Sequence, residues 1–361
     1  MSYKSNIGRK AMEVQKFIQK AKNLPHLKNH KEIIDSAFSK ASKISTKDAK
    51  QLSANKINSV SNTIVHQLEK IDGEFNLDFP DYYREITNEF FPHEEIDNVF
   101  EELRWLRKFI KKLEKDHMKK LKKINKNKIN NRSEYYHQSN VVRKKFYGRI
   151  NSLLDSKKYC FEILRNYRKF LRSLPKIMPM YTVSLAGYPN VGKSSFLSKL
   201  TGSNSEVANY AFTTKKVMMG YRKIKEGRTA QIIDCPGTLD RNVESMNEIE
   251  RQSIITLRSA TDLLIFMIDP SYDLKKQINL LNYINEKIRI VDYVLINKID
   301  LFNNDVISGI IEMVESESKI NKVNIYSISV KDETNLDKIK KLIDNETLKF
   351  YKENTGDLKK Q

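Results

Sequence analysis

Cysteine is nearly absent from this 361-residue chain: Cys160 and Cys235 are the only two, far apart and without the spacing of a metal site. That excludes a disulfide framework and points to a reducing, cytosol-like compartment. Long apolar runs are also missing. The longest in the second half is Leu263–Ile268, far short of the roughly 20 residues that span a bilayer. The first residues, Met1-Ser2-Tyr3-Lys4-Ser5-Asn6, lack the apolar core of a secretory signal. His117 and His137 stand too isolated to argue metal binding, and no internal repeat is evident. A soluble protein is the expectation.

Acidic charge is scarce in one region only. The net charge is +20, and residues 1–180 hold 39 basic against 21 acidic side chains. The excess narrows further to Arg104–Arg172, with 23 basic and 5 acidic residues, while residues 1–103 are near neutral. Such a block reads as a footprint for a polyanion, nucleic acid before anionic membrane. A solvated helix face is the competing reading. Trp105, Phe109, Tyr135, Tyr136, Tyr147 and Tyr159 are interleaved with the block, and exposed rings beside cations can stack on unpaired bases. Phe109 is expected in the core; Tyr135 and Tyr136, in a polar break, are the better stacking candidates.

Residues 1–178 show helical periodicity and almost no strand signal. Val14, Phe17, Ile18 and Ala21 mark one face, and Ile33, Ile34, Ala37 and Phe38 a second. A third helix is expected over 46–71 with a stop at Gly73, then a short one within 77–92. A long one follows over 94–124, and a pair over 133–147 and 149–173. Pro175 and Pro179 mark a linker. From Tyr181, apolar runs at 181–186, 217–223, 229–234, 262–268, 291–296 and 323–327 alternate mostly with helical segments, the pattern of a mostly parallel sheet with helices on both faces. The expected division is a helical-bundle domain over 1–178, an α/β domain over 179–352 and a polar tail over 353–361.

The α/β half carries the chemistry. Gly187-Tyr-Pro-Asn-Val-Gly-Lys-Ser-Ser195 follows a strand and opens a helix, the context a phosphate-binding loop requires. Asn190, Val191, Gly192, Lys193, Ser194 and Ser195 would surround phosphate oxygens with backbone N–H groups and a helix N-terminus. Lys193 would reach the outer phosphates and the Ser194 hydroxyl would ligate Mg²⁺. By itself the loop licenses only a phosphate. Downstream lies Phe212-Thr213-Thr214, where Thr214, chosen over Thr213, could complete the metal shell. Asp234-Cys-Pro-Gly237 ends an apolar strand; Asp234 could hold the metal and the Gly237 N–H touch a γ-phosphate. Asn297-Lys298-Ile299-Asp300 follows another strand. A carboxylate at Asp300 accepts from both the ring N–H and the exocyclic amine of guanine, a pair adenine does not offer, and Lys298 would lie along the base. Ser329-Val330-Lys331 stands where a backbone N–H can meet guanine O6. Five motifs in order, each after a strand, predict an α/β P-loop GTPase domain preceded by an all-α helical bundle, binding GTP or GDP.

The loop, with Asn209-Tyr-Ala-Phe-Thr-Thr-Lys215, Asp234-Cys-Pro-Gly-Thr-Leu-Asp-Arg241 and Asn247-Glu-Ile-Glu250, resembles the Nog family of nucleolar GTP-binding proteins, a branch of the Obg-like translation GTPases. The resemblance implies a role in maturing the large ribosomal subunit, with the helical domain against ribosomal RNA through Arg104–Arg172. The nucleolar members carry a long C-terminal extension, and this sequence ends at Gln361. It therefore looks like the compact archaeal-type form, expected in the cytoplasm, monomeric off the ribosome and without stable membrane association. Thr238 stands where the family more often has leucine and Ras-like enzymes place a water-orienting glutamine, so slow intrinsic hydrolysis is expected. Asn190 is similar to an asparagine that helps hold K⁺ near the β/γ-phosphates in related GTPases; alternatively it stiffens its turn. Arg241 is a candidate finger in cis, or a surface ion pair. A GTPase acting on another RNA, such as a tRNA-modification or stress factor, and a membrane-surface switch are the rival functions.

Overall fold

The computed structural model describes residues 4–124, 131–202, 205–209, 216–235, 248–319 and 324–355. Seven helices come first: α1 (Lys4–Lys22), α2 (His30–Ser42), α3 (Ala49–Glu74), α4 (Asp81–Phe90), α5 (His93–Lys123), α6 (Arg132–Ser156) and α7 (Lys158–Ser173). Strands and helices then alternate: β1 (Thr182–Ala186), α8 (Lys193–Thr201), β2 (Ser205–Asn209), β3 (Lys216–Lys223), β4 (Thr229–Asp234), α9 (Glu248–Ser259) and β5 (Leu263–Ile268). The series ends with α10 (Leu274–Lys287), β6 (Tyr293–Ile296), α11 (Asn304–Glu317), β7 (Asn324–Ser327) and α12 (Leu336–Thr355). Among the described residues no helix is long and apolar enough to cross a membrane.

Two compact units emerge, and they do not divide at residue 178. One consists of 20–77 with 87–172; the other takes 173–361 together with 1–19 and 78–86. In the first, α3 packs against α2, α5 and α6. Ile57, Val60, Ile64 and Leu68 are fully buried at three- and four-residue steps, the stripe a bundle helix needs. Asn29 opens α2 with a capping box: its side chain accepts from the Glu32 N–H, and Glu32 accepts from the Asn29 N–H at 2.7 Å. Asp48 caps α3, its carboxylate accepting from the Lys50 and Gln51 N–H groups. Two expected boundaries move. Gly73 does not stop α3, which continues to Glu74, and Gly148 lies inside α6, which ends at Ser156 with Lys157 as its C-cap. One glycine inside a long packed helix costs only about 1 kcal/mol relative to alanine, which tertiary contacts override.

In the second unit the sheet order is β2-β3-β4-β1-β5-β6-β7. β4, β1, β5, β6 and β7 run parallel, and β2 and β3 add an antiparallel edge. β1 and β5 are buried along their whole length on both faces, which explains the unbroken apolar sequence of β5; in β1 the two polar residues, Thr182 and Ser184, are buried and hydrogen-bonded. One face is covered by α9, α10 and α11 through Leu257, Leu281, Ile284 and Val314; the other by α8 and α12 through Phe196, Leu197, Ile339 and Ile343. The predicted strands are present; β2, short and polar, had escaped the sequence reading. Part of 323–327 and most of the predicted tail lie outside the described residues.

The helical segment 78–86 is anchored to this unit by Tyr83, which is fully buried. Its hydroxyl donates to the Pro175 carbonyl at 2.9 Å and accepts from the Ile177 N–H at 2.8 Å, and its ring lies 4.8 Å from that of Phe17. Tyr82 reaches α9, its hydroxyl 3.2 Å from Thr256 Oγ1.

Candidate nucleotide-binding site

Parallel pairing collects the motif-bearing strand ends at one edge. Leu185 is level with Asp234, Ala186 with Phe266, Ile268 with Ile296, and Ile296 with Ser327. The chain turns to opposite sides of β1 to reach β4 and β5, so the loop after β1 sits where the strand order reverses, the crevice in which open α/β sheets take ligands.

That loop is held by close backbone contacts. Gly187 has φ 136°, and a Cβ there would stand 2.4 Å from the Met267 carbonyl oxygen. Gly192 has φ 102°, and its Cβ would stand 2.4 Å from Asn297 Nδ2. Asn190 is exposed and left-handed at φ 65°, a conformation asparagine tolerates better than most residues. Val191 is fully buried. Lys193 opens α8, and its ammonium donates to the carbonyls of Gly187 at 3.0 Å and Tyr188 at 2.7 Å, folding the loop around its own side chain. Ser194 and Ser195 are exposed on the first turn, whose N–H groups have no partner within the helix.

The Ser194 hydroxyl donates to Asp234 Oδ2, joining the β1 loop to the end of β4. Burial pulls the Lys193 ammonium below its ordinary range, opposed by the attraction of Asp234. The same burial lifts the Asp234 carboxyl, opposed by Lys193 and by the Ser194 bond. Magnesium is held in such sites by one or two hard protein oxygens together with substrate phosphates. A hydroxyl and a carboxylate meeting at one point beside a cation supply that donor set, so the residues fit the ion. Thr214 and Gly237 lie outside the described residues, as do Phe212, Thr213, Thr238 and Arg241.

The motifs Asn297–Asp300 and Ser329–Lys331 form a second network. Asn297 is buried, 2% exposed, and works behind the site. Its Nδ2 donates to the Val191 carbonyl at 2.9 Å, and its Oδ1 accepts from the Val330 N–H at 3.1 Å. It therefore ties the phosphate loop to the Ser329 loop, and the Val330 N–H serves that tie. Lys298 stands at φ 65° with its ammonium 2.5 Å from Asp269 Oδ2 and 5.6 Å from the Tyr272 ring centre. Asp300 accepts from the Ser329 hydroxyl at 2.7 Å, with Lys331 at 4.0 Å. Sequence reasoning missed Asp269. It is fully buried and locked by Gln277, whose Oε1 accepts from its N–H and whose Nε2 donates to its carbonyl. Its position just past the end of a fully apolar parallel strand was the available signal.

A phosphate alone would not require a carboxylate set by a serine from the neighbouring loop and a lysine fixed beside it; a guanine ring, with two adjacent donors and a flat face, uses both. The domain is a P-loop GTPase. Residues 182–298 match the family described as 50S ribosome-binding GTPase, and residues 22–177 match the NOG1 N-terminal helical domain. An uncharacterized protein of Methanocaldococcus jannaschii is 31% identical over 263 residues, covering 71% of each chain. Nucleolar GTP-binding protein 1 of Saccharomyces cerevisiae is 34% identical over 200 residues, covering 52% of this chain and 30% of its own. A solved Plasmodium falciparum structure described as a nucleolar GTP-binding protein 1 is 30% identical, covers 51% of this chain and 95% of its own, and gives a TM-score of 0.39. The chain belongs to the Nog1-type family of GTP-binding proteins. It spans 71% of the archaeal relative but only 30% of the yeast one.

Proposed function

We propose that the protein is a GTP-hydrolysing switch in the assembly of the large ribosomal subunit, acting in the cytoplasm, with its helical unit against ribosomal RNA. The observation that carries this is the presence on one chain of both the 50S ribosome-binding GTPase match and the NOG1 N-terminal helical-domain match, beside similarity to nucleolar GTP-binding protein 1 of yeast. The site geometry supports guanine nucleotide as the ligand. The loop N–H groups and Lys193 would bind the phosphates, Ser194 and Asp234 would hold Mg²⁺, and Asp300 with Lys298 would orient the base. The ion would neutralise charge between the outer phosphates. Thr214 and Gly237, assigned from sequence, would sense the γ-phosphate, and their release after hydrolysis would change affinity for the particle.

Turnover without a glutamine at position 238 is expected to be slow, with Asn190 as a K⁺ ligand. Replacing K⁺ by Na⁺ in a turnover assay tests this; equal rates return Asn190 to its turn. The wider reading is tested by recovering the protein from lysate with a GTP analogue or GDP and sequencing the RNA that accompanies it. Nucleotide-dependent enrichment of large-subunit ribosomal RNA is expected. Enrichment of tRNA, or of no RNA, overturns it.

A further inference from the structure

The basic block is not uniformly available. Arg104 and Arg107 face Asp72 at 3.6 and 3.0 Å, and Lys111 is held by Asn62 at 2.6 Å and Glu114 at 2.8 Å. These cations brace the bundle. Among the other cations of α5, Lys108, Lys112, Lys115 and Lys119 form a row: they are exposed at steps of four, three and four, and among the described residues none has an ion pair. Glu114 and Asp116 lie off this row. Trp105, three residues before Lys108, stands at its head and keeps 45% of its surface exposed.

Trp105 is not a stray ring. It stacks on Phe109 at 5.0 Å between centres and 21° between planes. Lys157, at the end of α6, places its ammonium 5.3 Å from the Trp105 ring centre and 5.9 Å from that of Tyr159, which is 42% exposed. Glu102 holds that ammonium at 2.6 Å. A paired lysine thus pins two exposed aromatic rings at the end of a line of unpaired ones. The stacking candidates favoured by sequence fare differently. Tyr135 is buried, 6% exposed, with its hydroxyl on Asp48, whereas Tyr136 is exposed.

We propose that Trp105 and Tyr159 form a stacking platform which, with the row Lys108 to Lys119, binds a single-stranded stretch of RNA. This rests on the reading of the helical unit as RNA-facing. From Trp105 to Lys119 is about 21 Å along the helix axis, the reach of a short strand whose flexible phosphates can follow the row. Only an unpaired base offers a ring face to Trp105. Charge complementarity also sets the limit of the footprint, because Glu94, Glu95 and Glu102 line the hollow beside Tyr159 and would repel a strand continuing past it. A lipid surface fits less well, since the exposed row is lysine where an interfacial helix would show large apolar groups.

Trp105 is the only tryptophan in the chain, so its emission reports the platform directly. The whole protein is titrated with a 12-nucleotide oligoadenylate carrying an end label, and emission is followed with label anisotropy. Quenching that saturates together with anisotropy is expected. Trp105→Ala and Tyr159→Ala each weaken the strand by about 5- to 150-fold, with circular dichroism and GDP affinity unchanged. Converting Lys108, Lys112 and Lys115 to Gln lowers the slope of log affinity against log salt by about 2. Strand binding with unchanged emission and unaltered affinity in both ring variants overturns the platform while leaving the RNA reading intact. Equal quenching by a duplex of the same length overturns the single-strand assignment. Binding to phosphatidylserine vesicles with no RNA bound overturns both.

Discussion

Gly192 shows how a single residue couples two motifs. Its φ of 102° lies in the region that favours glycine, and the space a Cβ would take belongs to the Asn297 amide. Gly192→Ala adds backbone strain and displaces the amide that holds the Val191 carbonyl. The expected loss of GTP affinity is about 100-fold, measured by fluorescent-nucleotide titration; an unchanged affinity would show that the loop and Asn297 can separate. Asp300→Asn keeps the Ser329 contact but removes the charge that accepts two guanine donors. It is expected to weaken GTP by about 30- to 100-fold and to admit a xanthine nucleotide, whose ring offers an acceptor where guanine has its amine. The two thiols make a third test at this scale. Burial pushes Cys235 up to about 12 and also raises Cys160, so both remain protonated at pH 8 and reaction with a thiol reagent requires the thiolate. Neither is expected to label in the native protein, and both label after denaturation.

At the scale of elements, the central strand β5 was readable because a buried parallel strand is apolar on both faces, and the other predicted strands because they alternate with helical segments. β2 was not readable. It is a short edge strand held by pairing with β3, and a five-residue polar sequence carries no period that would reveal a partner. The α6–α7 boundary failed for a related reason: Gly148 reads locally as a break, yet α6 is fixed on both sides of it by Phe146 and Ile150, both fully buried. α4 depends on one hydroxyl. Tyr83→Phe strands the Ile177 N–H and the Pro175 carbonyl without their partner, a cost of about 1–3 kcal/mol. A thermal melt is expected to show the change as a fall of about 3–10 °C, with GDP affinity preserved. A fall in affinity matching the fall in stability would instead place α4 in the site.

For the whole molecule, the consequential finding is that the nucleotide unit is discontinuous. A fragment over 179–361 removes 1–19 and 78–86, and with them Tyr82, the hydroxyl partner of Thr256. Such a fragment is expected to bind GDP but to melt below the full chain and to bind a hydrophobic dye; identical melting would mean that those segments contribute nothing to the unit.

The sequence by itself determined the chemistry of the site. Residue type and short-range spacing are enough to pick out a phosphate loop, the Ser194 hydroxyl, the strand-end Asp234 and the Asp300 carboxylate as candidates, because each lies within a few residues of one strand end. It also located the basic block. Tertiary structure alone decided how those residues pair with one another: Asn297 ties the Val191 carbonyl to the Val330 N–H, Asp269 holds Lys298, and Ser194 meets Asp234 across 40 positions. It likewise decided that Trp105 and Tyr159 are exposed while Tyr135 is buried. Such pairings depend on how distant elements pack, and packing leaves no period in the sequence around either partner.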